Sequence, residues 1–329
     1  MNIEKGLLIT KKAILFLVKR GDSVNQKSAW KEGILIVGLY VILLLAALLV
    51  PVLNVVFVWT LPLPLVYFAA KHGVKPSLIL YLLLCLLSWP IHLAALVLTF
   101  VFAMVGIVVG ELHRRKVDGF AVLIGASLTY IFHLVIGYVV FSLGTEQSLR
   151  QLIRNQSDQV TSLLEQAGTS ADQIALVTEN MDFIPYIVPF LLVLIGTIMG
   201  LITVWLAGVL LRRCNIEVKR IPALRNWGFP KAFIWYYLIA FVFLLSQPEE
   251  GTTLFIAVTN VFLLIETIMT IQGLSFILFF FHFKKLPKIL GILVVIITIL
   301  IGPLMQIVRL IGIADLVLDL KSRLGSQRK

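Results

Sequence analysis

The sequence predicts an all-α fold, a polytopic transmembrane helical bundle with about 8–10 membrane segments, and three observations lead there. First, 60% of the 329 residues are hydrophobic and only 14% are charged, against about 25% charged in soluble chains. Mean hydropathy is +1.01. Second, the apolar residues gather in runs of roughly 20, the length that crosses a ~30 Å hydrocarbon core at ~1.5 Å per residue. Third, the runs are continuously apolar rather than alternating. Lipid offers no partner to a backbone amide, so such runs are helices and not barrel strands.

The formal charge is +11. In a soluble chain that would suggest nucleic acid as a partner. Here the basic residues flank apolar runs, where the positive-inside rule accounts for them, so nucleic acid is set aside. The two cysteines are Cys85, inside an apolar run, and Cys214, in a basic loop. That placement supports neither a disulfide framework nor a thiolate metal site. No cofactor and no metal are expected.

The elements follow in order. Residues 1–30 form a basic N-terminal extension. It is either an amphipathic helix on the membrane surface, with Leu7, Leu8, Ile14, Leu15 and Val18 on one face, or a poorly ordered tail. Residues 31–212 make an N-terminal bundle of six spans. The first runs over 33–53 and the second over 54–70. Pro62 and Pro64 remove two amide donors from that second span, which predicts a break or a re-entrant turn near Pro62. Residues 77–112 are too long for one span and contain Pro90, so they divide into 77–89 and 92–112. The next spans are 120–143 and 185–211.

Between these last two lies an external loop, 145–184, with six acidic residues and two arginines. Leu149, Leu152, Ile153, Val160, Leu163 and Leu164 recur at helical spacing, and Ser170 to Gln173 reads as a capping box opening a second short helix. Residues 213–231 form a basic cytoplasmic loop. Membrane helices occupy 232–320, and a basic tail covers 321–329. Simple counting puts the basic C-terminus outside. A hairpin broken at Gly302-Pro303, or a break near Gly273, would bring it inside.

Polar residues within spans are where function would show. Glu266 lies in the middle of an apolar run, with Asn260, Thr267, Thr270 and Gln272 on the same predicted helix. Glu266, Asn260, Gln272 and Thr270 form the candidate substrate-binding set. The alternative is a structural Glu266, protonated or paired with Arg309. Arg309, Asp315, Pro62 and Pro64 are candidate structural or ion-pair residues, and Asp319 and Arg323 stand one turn apart. His92, His133 and His282 read as hydrogen-bond partners rather than ligands. Gly106 and Gly110, and Gly196 and Gly200, are two GxxxG pairs that allow close helix approach, within the chain or between copies. No zincin, phosphate-loop or nucleophile-elbow motif is present, so an enzyme is not expected.

An ordered series of short motifs resembles the YybS-like family of bacterial membrane proteins. Lys31-Glu32-Gly33 leads into the first span, followed by Leu61-Pro62-Leu63-Pro64 and Lys71-His72-Gly73. Ile221-Pro222 precedes Trp227 and Trp235-Tyr236-Tyr237. Gln272-Gly273-Leu274-Ser275-Phe276 leads to Lys284-Lys285-Leu286-Pro287-Lys288, and Ile307 to Gly312 is followed by Asp315 and Asp319. The resemblance covers about residues 30–324, with residues 1–29 departing from it.

That family is remotely similar to the S-components of energy-coupling-factor transporters, over residues 33–212. The likeness implies a small-solute binder or transport-related subunit. Two features depart from it: the first span lacks a small-xxx-small face, and about three helical segments follow the sixth span. The family resemblance also implies a gene neighbourhood with a membrane-bound cyclic-di-AMP phosphodiesterase. The second expectation is therefore a non-catalytic scaffold or regulator tied to envelope or cyclic-dinucleotide signalling. Expected surroundings are the lipid bilayer of a bacterial cytoplasmic membrane and a membrane-protein partner or second copy. The N-terminus is expected inside, and the small-molecule ligand stays unspecified.

Overall fold

A computed structural model describes residues 26–144 and 149–326. The expectations for residues 1–25 and for the last three residues of the tail lie outside them. Among the described residues every regular element is a helix. Six helical stretches are long and apolar enough to cross a membrane, a further pair is bent by 117°, and two shorter apolar helices remain. Large apolar side chains such as Leu82, Leu86, Phe132, Val140, Trp205 and Ile299 point outward. Such a surface fits hydrocarbon as the surrounding solvent. The chain is an all-α polytopic membrane protein.

Contacts divide the chain into two units. The first comprises residues up to His133 together with Gly196–Ile221. It holds α1 (Gln26–Leu49), α2 (Asn54–Thr60), α3 (Pro62–His72), α4 (Val74–Ser88) and α5 (Leu93–Arg114). It also holds the first part of α6 (Gly119–Gly144) and the last part of α9 (Val188–Arg213). Tyr40, Leu44, Leu65, Phe68, Leu84 and Tyr130 fill its centre.

The prolines act differently from the expected break. Leu61 keeps right-handed helical angles (φ −53°, ψ −41°) and its amide donates to Phe57 O at 3.2 Å. Pro62 stands in the first turn of α3, where a missing amide donor costs little. Residues Asn54–His72 therefore make one span with a single-residue interruption, not a re-entrant turn.

Glycine sets the closest approaches. A Cβ on Gly106 would lie 2.5 Å from Pro62 O, and one on Gly110 would strike Val66 O and sit 2.7 Å from Ala69 Cβ. Both thus let α5 press against the backbone of α3. Gly196 and Gly200 do the same against α6, where a Cβ would come 3.0 Å from Ile131 N and 2.8 Å from Ser127 N. Both GxxxG pairs are used inside the chain.

The second unit comprises Leu134–Ile195 and Pro222–Lys329. Residues 31–212, read from sequence as one bundle, are thus shared between the units. Unit two contains α7 (Leu149–Gln166), α8 (Ala171–Phe183) and a 3-10 turn at Ile184–Ile187. Ser170 occupies the N-cap of α8 but makes no side-chain capping bond, so the expected capping box does not close. A second 3-10 turn, Leu224–Asn226, precedes α10 (Ala232–Leu245) and the 31-residue α11 (Thr253–Phe283). Helix α11 continues through Gly273 without a break.

The chain then turns back on itself. Helix α12 (Lys288–Leu300) and α13 (Gly302–Leu318) meet at Ile301, which is extended (φ −115°, ψ 99°), and Pro303 opens α13. At 13 residues α12 is about 20 Å long, too short to cross alone. The two helices therefore form one apolar pair, sharply bent by 117° at this break. Asp319 (φ +54°) ends α13 in the left-handed conformation, and α14 (Leu320–Ser326) follows.

Candidate functional site

The polar residues of the second unit lie along the crossing of α11 and α13. Two glycines make that crossing. A Cβ on Gly273 would collide with Val308 O, and one on Gly312 would collide with Met269 O. The two backbones therefore touch, and any larger residue would force them apart. Met269 and Gly273, like Val308 and Gly312, are one turn apart on a helix, so each helix offers a knob and a notch to the other.

On one side of this crossing, Arg309 Nη1 donates to Glu266 Oε1. The side chains of Arg309 and Glu266 are only 14% and 15% exposed. Arg309 Nε is buried and has no hydrogen-bond partner among the described residues. Thr259, two turns before Glu266 on the same face of α11, likewise has a buried hydroxyl without a partner. Thr270 Oγ1 donates to the Glu266 carbonyl at 2.8 Å, a back-bond within its own helix.

On the other side lies a denser node. Gln272 Nε2 donates to Asp315 Oδ2 and its Oε1 accepts from Phe229 N at 3.2 Å. Asp315 Oδ1 accepts from Lys321 N at 3.0 Å. Lys321 Nζ donates to Trp227 O at 2.6 Å and Ser275 Oγ at 2.7 Å. This node fastens the loop after residue 222 and the start of α14 onto α11. Within this unit α14 lies beside the 222–229 segment. Burial lowers the Lys321 pKa, and the nearby Asp315 carboxylate partly offsets that. Just before it, Asp319 Oδ2 meets Lys231 Nζ at 3.3 Å. A hydrogen bond from Ser322 and the Lys231 contact hold the Asp319 carboxyl below the usual range.

Asn260 has another task. Its Nδ2 donates to Tyr186 O and Ile256 O, each at 2.7 Å, and its Oδ1 accepts from Phe190 N at 2.7 Å. It clamps α11 to the start of α9, where the 3-10 turn leaves backbone groups without helical partners.

Of the predicted candidates, Glu266, Thr270, Gln272, Arg309 and Asp315 therefore share one seam, and Asn260 stands about nine ångströms along α11 from Glu266. Pro62, Pro64 and the two GxxxG pairs are elsewhere. His92 caps α5, accepting from Ala94 N at 3.1 Å, and His133 Nδ1 contacts Thr129 O at 2.7 Å. No metal-holding group of three His, Cys, Asp or Glu occurs among the described residues. Sequence reading missed Gly312, Ser275 and Lys321. The apolar-run criterion passes over glycine and serine, and Lys321 sits where a cytoplasmic-side lysine needs no special explanation.

A membrane-embedded helical fold with a paired Glu and Arg inside it defines a multi-pass integral membrane protein. Residues 38–316 match the family described as "Predicted membrane protein (DUF2232)", and the chain belongs to that family. It is 26% identical over 311 residues to "Uncharacterized protein YybS" of Bacillus subtilis (strain 168), covering 91% of this chain and 99% of that one. No solved structure matches the chain.

Proposed function

We propose that this protein is a non-catalytic small-solute-binding or transport-related protein of a bacterial cytoplasmic membrane, with Glu266 and Arg309 at its binding site. The N-terminus and the 213–231 loop lie on the cytoplasmic side in this reading, because that loop carries the densest positive charge near a span. The observation that supports the site is the buried, unpartnered Arg309 Nε beside a pair already formed with Glu266. A buried donor without an acceptor is costly, and a solute carrying a carbonyl or carboxylate oxygen would complete it. The Thr259 hydroxyl offers a second open group on the same face of α11. A helix pair broken at Ile301 and packed against α11 is also similar to the discontinuous helices at which transporters place their sites. Asn260 and Gln272 act here by fixing the helices that carry the pair, and Thr270 bonds back to the Glu266 carbonyl within α11. The remote S-component resemblance of residues 33–212, which lies outside this site, would imply the same ligand class by fold-level analogy alone.

A second reading has its own support. Asn260 and Gln272 direct their side-chain hydrogen bonds to protein groups, as expected of a rigid scaffold. In that case the basic segment with Arg212, Arg213 and Arg220 would meet a partner. Purification of the tagged protein from its host in mild detergent, with mass spectrometry of bound proteins and small molecules, separates the two. One stoichiometric solute supports the first. A stable protein partner that is lost on charge reversal at Arg212, Arg213 and Arg220, with no solute, supports the second and sinks the first.

A further inference from the structure

We propose that a crevice between the Leu224–Asn226 turn, the end of α11 and the start of α12 binds the phosphate headgroup of an anionic phospholipid. The crevice measures about 300 Å³. Three of its lining residues carry basic groups: Arg225, His282 and Lys288. No carboxylate lines it, and Arg225 and Lys288 have no ion-pair partner among the described residues. The remaining wall is apolar. Ile292, Val295 and Ile296 stand four, seven and eight positions after Lys288, so they continue its face of α12. Leu278 closes the floor, where a Cβ on buried Gly291 would lie 2.8 Å from Leu278 Cδ2.

Charge and wall together select the occupant. Ile292 (55% exposed) and Ile296 (47% exposed) face outward next to the basic rim, so the crevice stands where a phosphate and acyl carbons meet. A phospholipid has both parts, a phosphate for the basic rim and acyl carbons for the isoleucine face. The first turn of α12 lines the same crevice, and its amides add partial positive charge at the rim.

The test uses the full chain in neutral detergent, titrated with phosphatidylglycerol, phosphatidylcholine or inorganic phosphate. Thermal stability and retained lipid in native mass spectrometry are read together. Phosphatidylglycerol is expected to bind and stabilise, and phosphatidylcholine to do so much less. The double variant R225Q/K288Q is expected to weaken phosphatidylglycerol about 30-fold, at about 1 kcal/mol per charge. The control K31Q/K75Q removes two exposed charges from the first unit and is expected to change it by less than about threefold. Equal weakening by the two double variants would overturn the proposal, as would equal binding of the two lipids. Stabilisation by inorganic phosphate matching that of the lipid would also overturn it, in favour of a soluble anion. If R225Q/K288Q does not fold, the comparison of lipids and phosphate on the unaltered chain still decides.

Discussion

Removing one member of the Glu266–Arg309 pair should be far worse than removing both. Each side chain is about six-sevenths hidden from solvent, at 15% and 14% exposure. Two unit charges about 4 Å apart attract by about 4 kcal/mol at the effective dielectric of such sites, near 20. Losing one partner of a buried pair costs about 3–5 kcal/mol, because the other charge is stranded. Replacing both by apolar side chains of similar length is often neutral. Glu266→Met and Arg309→Met should therefore each destabilise by about 3–5 kcal/mol, while E266M/R309M should lie within about 2 kcal/mol of the natural chain. The assay is reversible unfolding in mixed micelles of a mild detergent and sodium dodecyl sulfate, followed by circular dichroism. The cycle should give a coupling of at least about 3 kcal/mol. Singles that add to the double within about 0.5 kcal/mol would refute the pairing, because independent sites behave that way.

Two further outcomes follow from the same geometry. Gly312→Leu must push α13 off the Met269 carbonyl and should cost about 1–3 kcal/mol or more in the same unfolding assay, whereas Gly302→Leu, with open space around it, should cost less than about 1 kcal/mol. Equal effects would contradict the glycine crossing. Asp319 has a folded pKa below its unfolded value, so its contribution is present above the unfolded carboxylate range and disappears as pH falls through the folded pKa. Asp319→Asn, which tolerates the left-handed backbone, should be less stable than the natural chain at pH 7 and match it once the carboxyl is protonated. A difference that persists in acid would argue against the Lys231 and Ser322 contacts as its source.

Span positions were legible because the bilayer imposes a length and forbids unsatisfied amides, so apolar runs report helices almost directly. The boundaries expected at 120–143 and 185–211 agree closely with Gly119–Gly144 and Val188–Arg213. The turn between α4 and α5 was legible from Pro90. The prolines at 62 and 64 misled, since a proline in the first turn of a helix continues the chain direction instead of breaking it. Of the two breaks considered from sequence, the one near Gly302 is present as a 117° bend, one residue earlier at Ile301, and α11 shows none at Gly273. Pro303 marks Gly302 locally as a break, and no proline stands beside Gly273. The role of Gly273 is tertiary, because it is needed for contact with Val308. The same holds for the candidate site. Glu266 stands out in any hydropathy trace, but its partner 43 residues away and the Lys321 node depend on how α13 returns along α11.

The proposed binding of a small solute by Glu266 and Arg309 is read from the solute content of the purified protein. Natural chain, Glu266→Gln and E266M/R309M are purified identically in mild detergent. Circular dichroism shows that each is folded, and untargeted mass spectrometry reads what each retains. One solute near stoichiometric amount is expected on the natural chain, with its loss from both variants while the fold persists. The same solute retained by the folded E266M/R309M variant, or no solute on any of the three, would contradict it.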